Sequence, residues 1–430
     1  MKTKKLKRLT FGLTVALIVL MLAQTAWAAA KPLVTGTTES KTITSSAKIN
    51  VLNKTLQLTY PKNNTLVDNF GREADNKSVS FAVYLDGEGG PDVNTYTLVS
   101  NIYKISVADS VYSFLHPGQL TLAYDPGVSS SVADQLSIWY TPVTVNEKVY
   151  WDGEKSVNLG GISNTGKKSV TVPFQFHGKD GYYGVFLAQR LFQEFESVKS
   201  DEGWSYTYVM PLWAKGIIEP LPIGGSDNEF GLSNSVNRLE FATMLVKGLG
   251  LELTKQPTSE DMQIFKDTFD DIHFCDASPK DIDRNSKEVY FGDYGLNCKG
   301  YHIYNSDRMP IQYVETAASK GIINGYLEQI FEPGKKLTRQ EAAVIMARIT
   351  NQKLSDDMAK VTKDLGKLYE DANDIAPWAA PAVLAATKAK LIEGEPGENS
   401  KLKRFNPESE LKRSEASTLT YRLLKKLKKI

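Results

Sequence analysis

This 430-residue chain predicts two folds in series: an antiparallel all-β sandwich, then an all-α array of repeats. Two patterns carry that expectation. Between Ile49 and Phe186, short runs alternate apolar and polar residues and are rich in β-branched and aromatic types. From Phe192 onward a helix-opening motif recurs three times: VNRLEFATMLVK (Val236–Lys247), LTRQEAAVIMAR (Leu337–Arg348) and LKRSEASTLTYR (Leu411–Arg422).

The first residues have the form of a secretion signal. Lys2, Lys4, Lys5, Lys7 and Arg8 make a basic start, Phe11 to Ala23 is apolar, and Ala26-Trp27-Ala28 supplies a small-x-small cleavage site. Residues 1–28 are therefore expected to be removed. The Thr-, Ser- and Lys-rich stretch 29–48 is expected to be a flexible leader. No second apolar segment of membrane length follows, so no membrane partner is expected after cleavage.

Residues 49–191 read as the sandwich. The runs TLQLTY, SVSFAVYL, YKISVA, QLTLAYD, LSIWYTPV and SVTVPFQF are separated by turn signals such as Asp86-Gly87, Asp125-Pro126-Gly127 and Asn164-Thr165-Gly166. Trp139, Tyr140, Tyr150 and Trp151 are expected mainly in its core, an exposed sugar-stacking row being the alternative.

The helical half divides into units at 192–254, 265–352 and 366–430. Each second helix opens on Arg-x-Glu, and its Arg lies eight residues after a Phe: Phe230 and Arg238, Phe331 and Arg339, Phe405 and Arg413. Asn237 with Glu240 and Thr338 with Glu341 have capping-box spacing. The Arg then sits beside unpaired helix N–H groups, a setting that favours an anion, a surface salt bridge being the alternative. Each first helix ends in Lys215-Gly216-Ile217-Ile218, Lys320-Gly321-Ile322-Ile323 or Ala389-Lys390-Leu391-Ile392, where Gly suits a left-handed cap. Units of this kind cannot bury an apolar face alone and must pack on one another. Cys275 and Cys298 bracket a polar insert in the second unit, and export permits a disulfide between them.

These motifs resemble S-layer homology (SLH) repeats. The second unit is the fullest match, with FDDI, YVETAASKGIINGY and FEPGKKLTRQEAAVIMAR. The third has Tyr-Glu-Asp, Ala376-Pro377-Trp378-Ala379 and FNPESELKRSEA. The first diverges most, with Trp204 at the aromatic position and NRLEF in place of Thr-Arg-x-Glu-Phe. The resemblance implies a pseudo-threefold bundle on a Gram-positive, bacillus-type surface. It also implies binding to a secondary cell-wall polysaccharide, often pyruvylated, linked to peptidoglycan. By position, Arg339, Arg238 and Arg413 would meet the polymer's carboxylate, and Asp271, Asp371, Trp204, Trp378, Gly325 and Tyr326 would line grooves. This sequence departs from the pattern at Lys390, Lys412, Ser197 and Met309. Leu159 to Phe186 is similar to a β-segment that often precedes such repeats.

No metal, nucleotide or hydrolase motif is present. His116, His177, His273 and His302 have no partner at metal spacing, and no HExxH, GxSxG, P-loop or dinucleotide fingerprint occurs. A formal net charge of +1 gives no basis for nucleic-acid binding. The expectation is thus a non-enzymatic, exported cell-wall protein without a cofactor. Its alternatives are a wall-anchored enzyme acting on glycan through the β-domain, or a structural S-layer lattice subunit.

Two outcomes are expected. N-terminal sequencing of the secreted protein should give a start near Ala29, and a mature form beginning at Met1 rules the signal out. Thiol titration of the denatured, unreduced protein should find no free thiol, whereas two per chain exclude the Cys275–Cys298 bridge.

Overall fold

The computed structural model describes residues 38–254 and 310–430 apart from short breaks, the longer being 89–94 and 191–202, of which Phe192 and Phe195 are described. Asp271, Tyr326, Cys275, Cys298, Ser197 and Met309 lie outside the described residues. Antiparallel sheets occupy the first half and helices dominate the second. The chain divides into two compact units, one ending at Gly216 and the other running Ile217–Lys429.

Among the described residues the two largest sheets of the β unit hold twelve strands, and two small three-stranded sheets accompany them. The twelve are β1 (Thr38–Thr42), β2 (Lys48–Val51), β3 (Leu56–Thr59), β4 (Ser78–Tyr84), β5 (Tyr96–Leu98), β6 (Ile102–Val107), β7 (Gly118–Ala123), β8 (Leu136–Thr141), β9 (Val157–Gly160), β10 (Ile162–Asn164), β11 (Ser169–Phe174) and β12 (Asp180–Ala188). One sheet runs β1-β4-β6-β12-β8-β9, with β5 also paired to β12. The other runs β10-β11-β7-β3-β2. Alternation decides the faces: Val79, Phe81 and Val83 of β4 and Leu120 and Leu122 of β7 point into one shared core.

Two features were not apparent from alternation. Strand β12 is buried along almost its whole length, because both of its faces are covered. Its own Tyr182 and Phe186 join Trp139 and Trp151 in a second apolar cluster. The aromatic residues expected in the core are therefore there, except Tyr150, which is exposed. The second feature is the switch between sheets at Gly160-Gly161. Gly161 has φ +126°, and a Cβ there would come within 2.5 Å of Val170. The stretch expected as a leader, 29–48, also contributes β1. Its polar residues pair with β4 from Thr38↔Ala82 to Thr42↔Ser78, and an edge strand of this kind needs no apolar alternation.

The helices are α1 (Tyr206–Ala214), α2 (Arg238–Leu249), α3 (Pro310–Ser319), α4 (Arg339–Ile349), α5 (Met358–Leu365), α6 (Ala380–Lys388) and α7 (Arg413–Lys426). The capping boxes form as spaced: Asn237 and Glu240 open α2, and Thr338 and Glu341 open α4. At α7 the Glu415 carboxylate accepts from the Lys412 N–H at 2.9 Å. The Lys412 ammonium has no acceptor to return, so only the glutamate half of the box is available there.

The left-handed turn after each first helix recurs in all three units: Gly216 has φ +67°, Gly321 +65° and Lys390 +59°. A second left-handed residue follows each conserved-offset Phe, at Gly231 (φ +62°), Glu332 (+54°) and Asn406 (+55°). Lysine at position 390 carries the strain that glycine avoids at the other two. Among the described residues no helix is long and apolar enough to cross a membrane.

Replacing Lys390 by Gly should therefore raise stability by about 1 kcal/mol. Lys412→Thr should add about 1 kcal/mol through the missing cap. Urea melts of the single variants and the pair check both, and additivity is expected because the two sites are not in contact.

Candidate functional site

The three helix-opening arginines are buried. Arg238, Arg339 and Arg413 are 4%, 5% and 6% exposed. A charge so placed needs hydrogen-bond acceptors, and each arginine has at least two. The Nε of Arg339 donates to the Phe405 carbonyl at 2.8 Å, one terminal nitrogen donates to the Glu393 carbonyl at 2.9 Å, and the other pairs with Glu415. Arg413 repeats the pattern, donating to the carbonyls of Phe230 (2.8 Å) and Glu219 (3.2 Å) and pairing with Glu240 at 2.8 Å. Arg238 donates to the carbonyls of Phe331 (2.7 Å) and Asn324 (2.8 Å). Each arginine thus reaches into the next unit: first to second, second to third, third to first.

The helix N-termini are occupied in the same cyclic order. The N–H groups of Arg238, Arg339 and Arg413 donate to Lys335, Ser409 and Asn234. Those of Leu239, Gln340 and Ser414 donate to Pro333, Pro407 and Leu232. At α4 the third N–H goes to the Thr338 hydroxyl at 3.4 Å. The donors that made these helix starts attractive for an anion are therefore taken up by protein, a fact that depends on which loop the tertiary structure lays against them.

Asp371 is also internal. Its two carboxylate oxygens accept from the Phe405 and Asn406 N–H groups at 2.8 and 2.7 Å, holding the left-handed turn at Asn406. Gln340 ties the second unit to the third, donating to Glu408 and accepting from the Ala376 N–H at 3.0 Å.

The accessible members of the expected set are aromatic. Trp378 is 60% exposed and stands two residues ahead of α6. Trp204 is 43% exposed in the short 3-10 turn Gly203–Ser205 ahead of α1. Gly325 is partly exposed, beside the Asn324 carbonyl that holds Arg238. Arg348, at the far end of α4, was not singled out by the motif. It is exposed and donates to the Ile322 carbonyl at 3.2 Å. Its guanidinium is held below the usual arginine range, by desolvation first and by the nearby Arg238 charge second. Two guanidinium groups thus converge on residues 322–324, where an acidic ligand would relieve their repulsion. Only the spacing from Arg339 to Arg348 across nine residues of helix could have hinted at this. Among the described residues no cluster of His, Cys, Asp or Glu suits a metal.

Arg339 and Arg413, but not Arg238 or Arg348, lie in sequence that matches a known family model, the S-layer homology domain, over residues 303–343 and 368–417. The C-terminal region carries S-layer homology domains. The chain is 34% identical over 108 residues to a cellulosome-anchoring protein of Acetivibrio thermocellus, covering 25% of this chain and 22% of that protein. It is 34% identical over 89 residues to the S-layer protein sap of Bacillus anthracis, covering 21% of this chain and 10% of that protein. An amylopullulanase of Thermoanaerobacterium thermosulfurigenes is 21% identical over 352 residues, covering 80% of this chain but 15% of the enzyme. The chain thus spans less than a quarter of the length of each of these relatives.

Arg413→Ala should cost about 3 kcal/mol, because it removes a buried guanidinium from two carbonyls and from the partly buried Glu240. Arg413→Lys should recover only part, since one ammonium cannot span three fixed acceptors. Denaturant unfolding of the SLH region, followed by far-UV circular dichroism, measures both.

Proposed function

We infer that the chain anchors an exported protein non-covalently to the cell wall by binding a secondary wall polysaccharide through its SLH repeats. The observation that carries this reading is one arginine-to-carbonyl geometry repeated in three units, two of which match the S-layer homology model. That cyclic geometry also supports a pseudo-threefold arrangement of the repeats. The ligand is an acidic, pyruvylated polymer in this reading. Arg238 and Arg348 supply cationic character, and Trp378 and Trp204 offer faces on which sugar rings stack. Gly325, Tyr326 and Asp271 are assigned to the same site in this reading by their positions in the repeat motif alone. Arg339, Arg413 and Asp371 contribute by holding the groove walls.

Two relatives support anchoring by their names, one a cellulosome-anchoring protein and one an S-layer protein. A second reading is favoured by a different relative: the amylopullulanase match suits an anchor that serves a glycan-acting enzyme. Both readings place the SLH repeats on the wall polymer and differ only in the role of the β unit.

Cosedimentation of the full chain with purified Gram-positive walls, before and after the secondary polymer is stripped, tests the reading. Binding should disappear with the polymer. Arg348→Ala should weaken binding to native walls roughly tenfold, the value of one charge-assisted hydrogen bond, without changing the fold. Arg339→Ala should weaken it tenfold to a hundredfold, with little recovery in Arg339→Lys. Equal binding to stripped and native walls would refute the reading.

A further inference from the structure

The first repeat is split by the fold. Its second helix, α2, belongs to the unit Ile217–Lys429, whereas its first helix, α1, belongs to the unit that ends at Gly216. There α1 packs on the β sandwich, against β8, β12 and the 3-10 turn Ser130–Gln135. Trp213 lies among Tyr96 (ring centroids 5.3 Å apart) and Phe192 (4.8 Å, perpendicular). The helix end is fastened by two polar side chains. Asn158 of β9 donates to the Ala214 carbonyl at 2.9 Å, satisfying a carbonyl that a helix end leaves open. Lys215 is 8% exposed, and its ammonium donates to the carbonyls of Leu136 (2.8 Å) and Gly161 (2.6 Å).

The same tetrapeptide, Lys-Gly-Ile-Ile, ends the first helix of the second repeat, yet Lys320 there is exposed. The burial of Lys215 is thus a property of the sandwich and not of the repeat motif. Trp204 stands at the opposite end of α1 from this fastening. It lies twelve residues before Gly216, as Trp378 lies twelve before Lys390, and both are exposed. The amylopullulanase match points the same way. At 80% of this chain, it is longer than the stretch from Phe192 to Ile430, so it runs into the β unit. One relative therefore aligns with sequence from both units of this chain.

We propose that the β sandwich is a working part of the wall anchor: it seats the leading helix of the first repeat, and Lys215 and Asn158 are positioning residues that hold α1, and with it Trp204, in place for the wall polymer. This rests on the wall-binding reading and assigns the β unit a role within it.

The test uses the full chain with Lys215→Met, which keeps the apolar stem and removes the donors, and Asn158→Ala as an independent second variant. Amide hydrogen exchange of Tyr206–Ala214 should accelerate at least tenfold in each, while β3, β7 and β11 of the opposite sheet keep their protection. Cosedimentation with native Gram-positive walls should weaken three- to tenfold. Trp204→Ala should weaken it comparably, and Lys215→Met should add nothing further in the Trp204→Ala background, because both act through one contact. If α1 loosens and wall binding stays at the wild-type level, the sandwich is a passenger and the proposal fails. Additive losses in the double variant also overturn it. Where Lys215→Met unfolds the sheets, Asn158→Ala decides by the same readings. Failure of the unaltered chain to bind walls would instead overturn the wall-binding reading itself, with the exchange result standing apart.

Discussion

Three backbone hydrogen bonds close a ring on which the helical half depends. The Leu337 N–H donates to Val236, the Leu411 N–H to Leu337, and the Val236 N–H to Leu411, at 3.1, 2.7 and 2.8 Å. Each residue lies six positions after its Phe, and Val236, Leu337 and Leu411 are fully buried. A buried N–H without a partner is costly, so no one of these loops can be completed without the other two. An open array of repeats contacts only its neighbours and leaves free ends. Here the third unit returns to the first: the arginines and helix N-termini donate from each unit to the next, and the ring's N–H groups donate in the opposite sense.

Burial then separates support from recognition. An arginine with every branch tied to a carbonyl or glutamate defines where two loops meet and presents little surface to a ligand. The exposed aromatic residues and Arg348 do the reverse: they contribute little to the ring and face outward. The two groups are coupled through backbone. Arg238 holds the Asn324 carbonyl next to Gly325, and Gln340 holds Ala376 next to Pro377 and Trp378. A polymer bound at the rim would thus sense the buried network without touching it.

Much of this was legible before any coordinates. Alternation located β3, β4, β6, β7 and β11, because each has one face in the core and one more open, whereas β8, buried along its whole length, was legible from its aromatic and apolar residues. Capping chemistry located the starts of α2 and α4, because the Asn or Thr and the Glu three residues later satisfy each other locally. The left-handed turn at Lys390 was legible from its alignment with Gly216 and Gly321. Strand β12 escaped that logic because coverage on both faces erases alternation. Helix α5 escaped because its eight residues offer only Val361 and Leu365 as an apolar signal.

The sequence by itself determined the local choices: strand or helix, cap or no cap, glycine or strain at a left-handed turn. These depend on residues a few positions apart, whose interactions are the same wherever the segment lies. Tertiary structure alone decided where the charges went. Arg238, Arg339 and Arg413 point inward because a carbonyl from another unit, at least 66 residues away in the chain, meets each Nε. The clearest case is one tetrapeptide with two fates. Lys320 stays in water at the end of α3, while Lys215 is drawn into the sandwich by carbonyls from β8 and Gly161, because burying an ammonium is favourable only where acceptors are already in place.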